Sequence, residues 1–407
     1  MKMIKPLLSY LALILFLFSC QNGKREIQQI DFSTDYKFSS EIEEQVAKDT
    51  LAWRYQISAA DYAKKGDYKN ALIHWDLGMP TQNSNYTESA IDSLHLKYSI
   101  QNAKDYIIQE VQKNQVVIIN EAHHNSLHRV FTKSLLKDLY ENGYKNLGLE
   151  ALDNGEHLDS ALNSRGYPIQ KTGYYTQDPQ FGGLVREALE IGYNVFAYER
   201  IGSEFGKLRE IGQARNIQKV IESKPNEKFL IHGGFAHAFE GPYELWEKAM
   251  AGRLKEFTGI DPLTINQVEY SEKSEVAFNH PMLKAIEFKK SSVLLDQDKH
   301  PLRYERNEAW ADIAVFHPNN QYVDNRPHWL FENGNKNISI ELSDISINFP
   351  VLVLAYKKGE DINKAVPVDI IEVKSKTEKG HLALKNGEYE IVVTNRTQTF
   401  QFDKVVK

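Results

Sequence analysis

Apolar and polar positions divide this chain into stretches of different periodicity. Residues 7–18 are an almost unbroken apolar run behind Lys2 and Lys5, and residues 20–40 are largely polar. Residues 41–113 place apolar side chains at helical spacing. Over residues 114–336 short apolar runs alternate with helical periods. From 337 to 407 the chain turns to short alternating stretches, the pattern of strands with one buried face.

The central stretch is the most legible. Gln115-Val116-Val117-Ile118-Ile119 has the composition of a buried parallel strand. Val130, Phe131, Leu135, Leu136 and Leu139 recur on one helical face, which Asn142-Gly143 ends. Leu147-Gly148-Leu149, Val195-Phe196-Ala197-Tyr198 and Phe229-Leu230-Ile231 are three further strands. Helices separate them, over 184–191 and along the face of Leu208, Ile211, Ala214, Ile217 and Ile221. Past about Thr264 the pattern loosens, with a last strand at Asp312-Ile313-Ala314-Val315-Phe316. Strand-helix alternation predicts an α/β fold, a mostly parallel sheet flanked by helices. The C-terminal stretches Ser339-Ile340-Glu341-Leu342, Val351-Leu352-Val353-Leu354-Ala355-Tyr356 and Tyr389-Glu390-Ile391-Val392-Val393 predict a small antiparallel β-sandwich over 337–407.

Ahead of the sheet, residues 20–40 read as a tether and residues 41–113 as a helical segment. Within the latter, the run from Ala59-Ala60-Asp61 through Lys65-Gly66-Asp67-Tyr68 to Ala71-Leu72 resembles the turn between two helices of a tetratricopeptide repeat. One such unit cannot bury its own faces, so a helical cap on the next domain is expected rather than a peptide-binding array.

Composition narrows the setting. A charged start and a short apolar core are the plan of a secretory signal peptide, here residues 1–19. The run is shorter than the roughly 20 residues that span a bilayer. Leu17-Phe18-Ser19-Cys20 resembles the bacterial lipobox, where cleavage precedes a cysteine that carries lipid, and Cys20 is the only cysteine of the chain. The resemblance implies a lipoprotein of the bacterial cell envelope, held to a membrane through Cys20. Gln21 in place of an aspartate favours the outer membrane. Without a second cysteine no internal disulfide can form, so stability rests on a buried core. The net charge is −6 and the basic residues are dispersed, which excludes the concentrated basic face of a nucleic-acid binder.

In an open parallel sheet ligands bind beyond the carboxyl ends of the strands. Here the first strand runs into Asn120-Glu121-Ala122-His123-His124-Asn125, and the second into Glu150. The third ends in Glu199-Arg200 and the fourth in His232-Gly233-Gly234-Phe235-Ala236-His237. If these strands are neighbours, Glu121, His123, His124, Glu150, Glu199 and His237 converge on one crevice. Singly, each has a plain explanation: Glu150 as a cap or surface pair, His128 as a solvent-facing residue one turn after His124, His232 as a hydrogen-bonded core histidine. Their coincidence at four strand ends points to function, because burying carboxylates without one is costly.

These motifs resemble the erythromycin esterase and ChaN-like superfamily, to which the TIKI/TraB proteins are related. Asn120-Glu121-Ala122-His123-His124 is similar to its Gly-Glu-x-His or Gly-Glu-x-x-His opening, and Gly148-Leu149-Glu150-Ala151 to its second motif. Arg209-Glu210-Ile211-Gly212-Gln213-Ala214-Arg215-Asn216-Ile217 resembles the esterases' Arg-Asp helix, and Gly234-Phe235-Ala236-His237 the closing Gly-x-x-His. The matches run in family order over 116–242, about a third of the chain. Asn120 stands where the family has glycine, and asparagine is well suited to left-handed backbone.

The resemblance implies a hydrolase acting on an ester or amide bond of a small molecule or peptide. His123 or His124 would be the general base, with Glu121 or Glu150 orienting it. His237 and Arg209 would bind the polarised oxygen, with Glu199 beside the substrate. No serine or cysteine elbow is present, so water is the expected nucleophile. Two alternatives stay open. A divalent zinc or manganese could sit among Glu121, His123, Glu150 and His237. Haem or another small ligand could bind as in ChaN-like relatives, the run Glu121-x-His123-x-Asn125-x-x-His128 being similar to their opening.

Overall fold

The computed structural model describes residues 25–407. Cys20 and the residues read as a signal peptide lie outside the described residues. The polar stretch read as a tether is, from residue 25 on, part of the folded body. Gln28–Gln29 pairs antiparallel with Gln401 and Phe400, and the Ile30 N–H donates to the Thr399 carbonyl at 3.1 Å. Tyr36 and Phe38 are buried against Leu352, Leu354 and Tyr356. The correction has a plain cause: a few spaced aromatic residues among polar ones suffice to cover a sheet face.

The helical segment comprises α1 (Ser39–Lys48), α2 (Arg54–Lys64), α3 (Tyr68–Gly78), α4 (Glu88–Lys97) and α5 (Ala103–Glu110). It is not wholly helical, because Ser99–Asn102 pairs antiparallel with Ser292–Leu295. The turn between α2 and α3 needs Gly66, whose φ is +78°, and a Cβ there would collide with the Ile370 carbonyl. Beside it Lys65 is buried in an ion pair with Glu372. Asp67 caps α3 by accepting from the Asn70 N–H at 3.2 Å. The hairpin therefore leans on the C-terminal strands at its turn.

Six strands form the central sheet: β1 (Val116–Glu121), β2 (Tyr144–Leu149), β3 (Asn194–Ala197), β4 (Lys228–Gly234), β5 (Leu263–Asn266) and β6 (Ile313–Ala314). Their spatial order is β6-β5-β1-β4-β2-β3, and every neighbouring pair is parallel. The fold is thus mixed α/β, a parallel sheet between helices. Alternation explains the two faces. Val117, Ile119, Leu147 and Leu149 pack with α6 (Leu127–Glu141) and α7 (Pro179–Ile191). Val116, Ile118, Phe229 and Ile231 pack with α8 (Lys207–Ser223) and α9 (Met250–Thr258). β1, β4, β2 and β3 stand side by side, so the four carboxyl ends singled out in the sequence share one edge.

C-terminally, Asp369–Val373, Val351–Lys357, Gly387–Thr394 and Thr399–Val406 form an antiparallel sheet that Gln28–Gln29 completes. Lys336–Ile340 and Gly380–Leu384 make a second, two-stranded layer over the same apolar core. The outer face of the larger sheet meets the central region. There Arg186 of α7 is buried and holds Glu360 through Nε and Nη2, at 2.7 and 2.6 Å.

Candidate active site

Two ionic clusters occupy the shared edge. The first grows from Glu121, the last residue of β1 and 1% exposed. Arg129, in the first turn of α6, donates from Nε to Oε2 at 2.7 Å and from Nη2 to Oε1 at 2.8 Å. The same guanidinium pairs through Nη1 with Asp178, the N-cap of α7, and reaches the His123 carbonyl at 2.9 Å. Burial would raise the Glu121 carboxyl, but the charge and hydrogen bonds of Arg129 outweigh it and hold the group far below the usual carboxylate range. Glu121 is therefore ionised.

That fixes His123. Its Nδ1 lies 2.8 Å from Glu121 Oε1, and an ionised carboxylate only accepts, so Nδ1 carries the proton. In the neutral form of the ring the lone pair is then on Nε2, which has no hydrogen-bond partner among the described residues. The ring is stacked on Tyr175, with centroids 3.9 Å apart, and meets the edge of Phe235 at 5.1 Å. Phe235 has φ +43°, a strained backbone for a bulky residue, in the turn after β4. Asn120 holds that turn by donating from Nδ2 to the Phe235 carbonyl at 2.7 Å. Asn120 itself is in an extended strand, so the left-handed geometry expected of it is corrected to a hydrogen-bonding role.

The second cluster centres on Glu150, immediately after β2. Oε1 accepts from Arg209 Nη2, Oε2 accepts from the Gly234 N–H, and His237 Nε2 stands 3.2 Å from Oε1. Arg209 also pairs with Glu199, Nε to Oε1 at 3.1 Å. On the other side of His237, Nδ1 lies 2.8 Å from Oε2 of Glu210, which is fully buried and also accepts from the Met250 N–H. Burial would lower the His237 imidazole, yet Glu150 and Glu210 outweigh it and push it up to about 10. The ring is thus an imidazolium that donates to both carboxylates. Its 3.0 Å approach to Arg209 Nη1 is a contact of two donors bound to one carboxylate, not a hydrogen bond.

The clusters meet at Gly234. A Cβ there would stand 2.6 Å from His123 Nε2 and 3.2 Å from Glu150 Oε2, so only a bare backbone lets both side chains approach. Beside them opens a cleft of about 350 Å³, bordered by Glu150, Tyr175, Glu199 and Arg200.

Three sequence expectations are corrected. His124 is buried, and its ring stacks on Trp75 of α3 with centroids 3.9 Å apart and 9° between planes. It belongs to the seam between hairpin and sheet, and burial pushes its imidazole well below the ordinary value. His128 does not face solvent. It is fully buried, with Nδ1 accepting from the Ala122 N–H at 2.9 Å and Nε2 2.6 Å from Ser271 Oγ. A helix position so close to the strand end turns inward. His232 is in the core as expected, but its Nε2 makes no hydrogen bond and lies 3.8 Å from Glu121 Oε2. Burial pushes His232 down to about 4.

The proposed metal set does not fit this geometry. Both oxygens of Glu121 are held by Arg129, and those of Glu150 by Arg209, His237 and a backbone N–H. The carboxylate oxygens that a cation would need are already taken by these donors, and the His237 imidazolium has no lone pair to offer. Sequence reasoning missed Arg129, Asp178, Tyr175 and Glu210. Asp178 carried a signal, an aspartate directly before a helix-starting proline. Arg129 carried another, a lone arginine between apolar positions of an inward face.

No protein-family model matches the chain, and no curated protein matches it. Among solved structures, the type III effector HopBA1 is 13% identical, with 56% of this chain and 99% of that chain covered and a TM-score of 0.34. RRSP, a MARTX toxin effector domain from Vibrio vulnificus, is 18% identical over 49% of this chain and 44% of its own, with a TM-score of 0.29. A chain described as belonging to bacterial protein toxins is 15% identical over 51% and 46%, with a TM-score of 0.31. This chain spans less than half the length of the latter two.

Proposed function

We propose that this protein is a lipid-anchored envelope hydrolase of the erythromycin esterase and ChaN-like kind, in which His123 activates water against an ester or amide carbonyl. One observation carries the reading. Glu121, fixed by Arg129, holds Nδ1 of His123 and leaves Nε2 without a hydrogen-bond partner among the described residues, on a ring stacked against Tyr175 of the cleft wall. This is the arrangement by which a buried carboxylate sets the tautomer of a catalytic imidazole.

Water held by Nε2 would lose a proton to it while its oxygen attacks the carbonyl carbon. Arg209, whose Nη1 donates to no carboxylate, supplies positive charge for the oxyanion that forms, while His237, with both N–H groups engaged by Glu150 and Glu210, holds Glu150 in place rather than binding the oxygen. The proton then passes from Nε2 to the leaving oxygen or nitrogen, and the carbonyl is restored as that bond breaks. The enzyme returns to its starting state without a covalent intermediate.

A panel of simple esters and peptides, offered to wild type and to His123→Ala, tests the reading. Turnover by wild type that the variant loses is the expected result. Absence of turnover, together with a Soret band on titration with haem, would replace it by the ligand-binding alternative.

A further inference from the structure

A second cavity, of about 210 Å³, lies between α6, α7 and the turn at Lys385-Asn386 of the C-terminal strands. Four cations border it: Lys133, Arg186, Lys357 and Lys385. Three are matched by carboxylates. Lys385 pairs with Glu187 at 2.9 Å, Lys357 with Glu190 at 3.5 Å, and Arg186 with Glu360. Lys133 is different, with no hydrogen bond or ion pair among the described residues, although it is partly buried.

Two further features favour an added anion. Arg186 is only 4% exposed, and its Nη1 has no hydrogen-bond partner. Gly183 sits inside α7, where glycine costs about 1 kcal/mol against alanine. A Cβ at Gly183 would stand 3.4 Å from Lys133 Nζ, an ordinary contact distance, so the ammonium lies against bare backbone of α7 rather than against a carboxylate. A partly buried ammonium that no carboxylate reaches directly is costly, and the natural remedy is an oxyanion.

We propose that this cavity is a binding site for a small oxyanion, phosphate or carboxylate, anchored by the Lys133 ammonium. The site is independent of the hydrolase reading, since it shares no residue with the crevice. Burial and the like charge of Lys385 push the Lys133 amine down to about 8, the state of a cation short of its partner. An anion in the cavity would reverse that shift.

Thermal melts of the whole protein with sodium phosphate, sodium acetate or sodium chloride at matched ionic strength test the site. Phosphate or acetate should raise Tm saturably where chloride does not, and whichever acts names the oxyanion. Lys133→Met should abolish the saturable rise. Lys133→Gln, which keeps a polar side chain but removes the charge, should weaken it by at least about tenfold, the scale of one charge-assisted hydrogen bond. Equal responses to all three salts would overturn the proposal, as would a Lys133→Met protein that still responds. Should Lys133→Met fail to fold, a Lys133→Gln protein with unchanged phosphate and acetate affinity would overturn it equally.

Discussion

Glu121 and Arg129 are joined by two hydrogen bonds, Nε to Oε2 and Nη2 to Oε1, and both side chains are about 1% exposed. The pair anchors the first cluster, because Arg129 also neutralises Asp178. Replacing Arg129 with Met leaves two carboxylates buried without their cation. Breaking a buried pair costs about 3–5 kcal/mol. Urea denaturation should show a loss of that order, with turnover lost as His123 loses its fixed partner. A change under about 1 kcal/mol would mean that the carboxylates are solvated.

The second cluster makes a prediction about pH. The His237 imidazole is raised to about 10 in the fold against an ordinary value of 6.5. A raised group stabilises the folded state fully below the unfolded value and loses that contribution as pH climbs through the folded one. Tm of the wild type should therefore fall between about 6.5 and about 10. His237→Gln should start lower and fall less steeply over that window. Parallel slopes would show that His237 is not the titrating group.

Much of this was legible in the sequence. The four strands and their acidic or histidine-bearing ends could be read because a buried parallel strand is a short apolar run and its end is marked by an abrupt polar residue. The strand Leu263–Asn266 was not, since Leu263-Thr264-Ile265-Asn266 is too short and mixed to stand out. The two histidines at 123 and 124 were indistinguishable in sequence. Only the placement of Trp75, some 50 residues earlier, draws one to the hairpin and leaves the other to Glu121. Roles that depend on long-range partners, such as Glu210 on His237, leave no local pattern to find.

The C-terminal sheet covers apolar and charged groups of the central region. A chain ending before Asn337 strips Glu360 from Arg186 and Asp369 from Arg326, and uncovers Tyr36 and Phe38. Leaving buried guanidinium groups unpaired is strongly destabilising. Such a chain should be insoluble or show a non-native circular dichroism spectrum. A soluble chain with wild-type melting behaviour would contradict this account of the seam.

Anchoring is tested apart from chemistry. Cys20→Ala should leave the protein uncut by signal peptidase II and abolish labelling by radioactive palmitate. A variant that still incorporates lipid would refute the lipobox assignment.

The central claim is that His123, and not its neighbour, is the base. The direct measurement is kcat/KM of His123→Gln and His124→Phe on the best substrate of the ester and peptide panel, with circular dichroism confirming both folds. General-base catalysis contributes about 10²–10⁴-fold. The account predicts a loss of that size for His123→Gln, and activity within about tenfold of wild type for His124→Phe, whose ring keeps the stack on Trp75. Comparable losses in both variants, or the larger loss at His124, would contradict it.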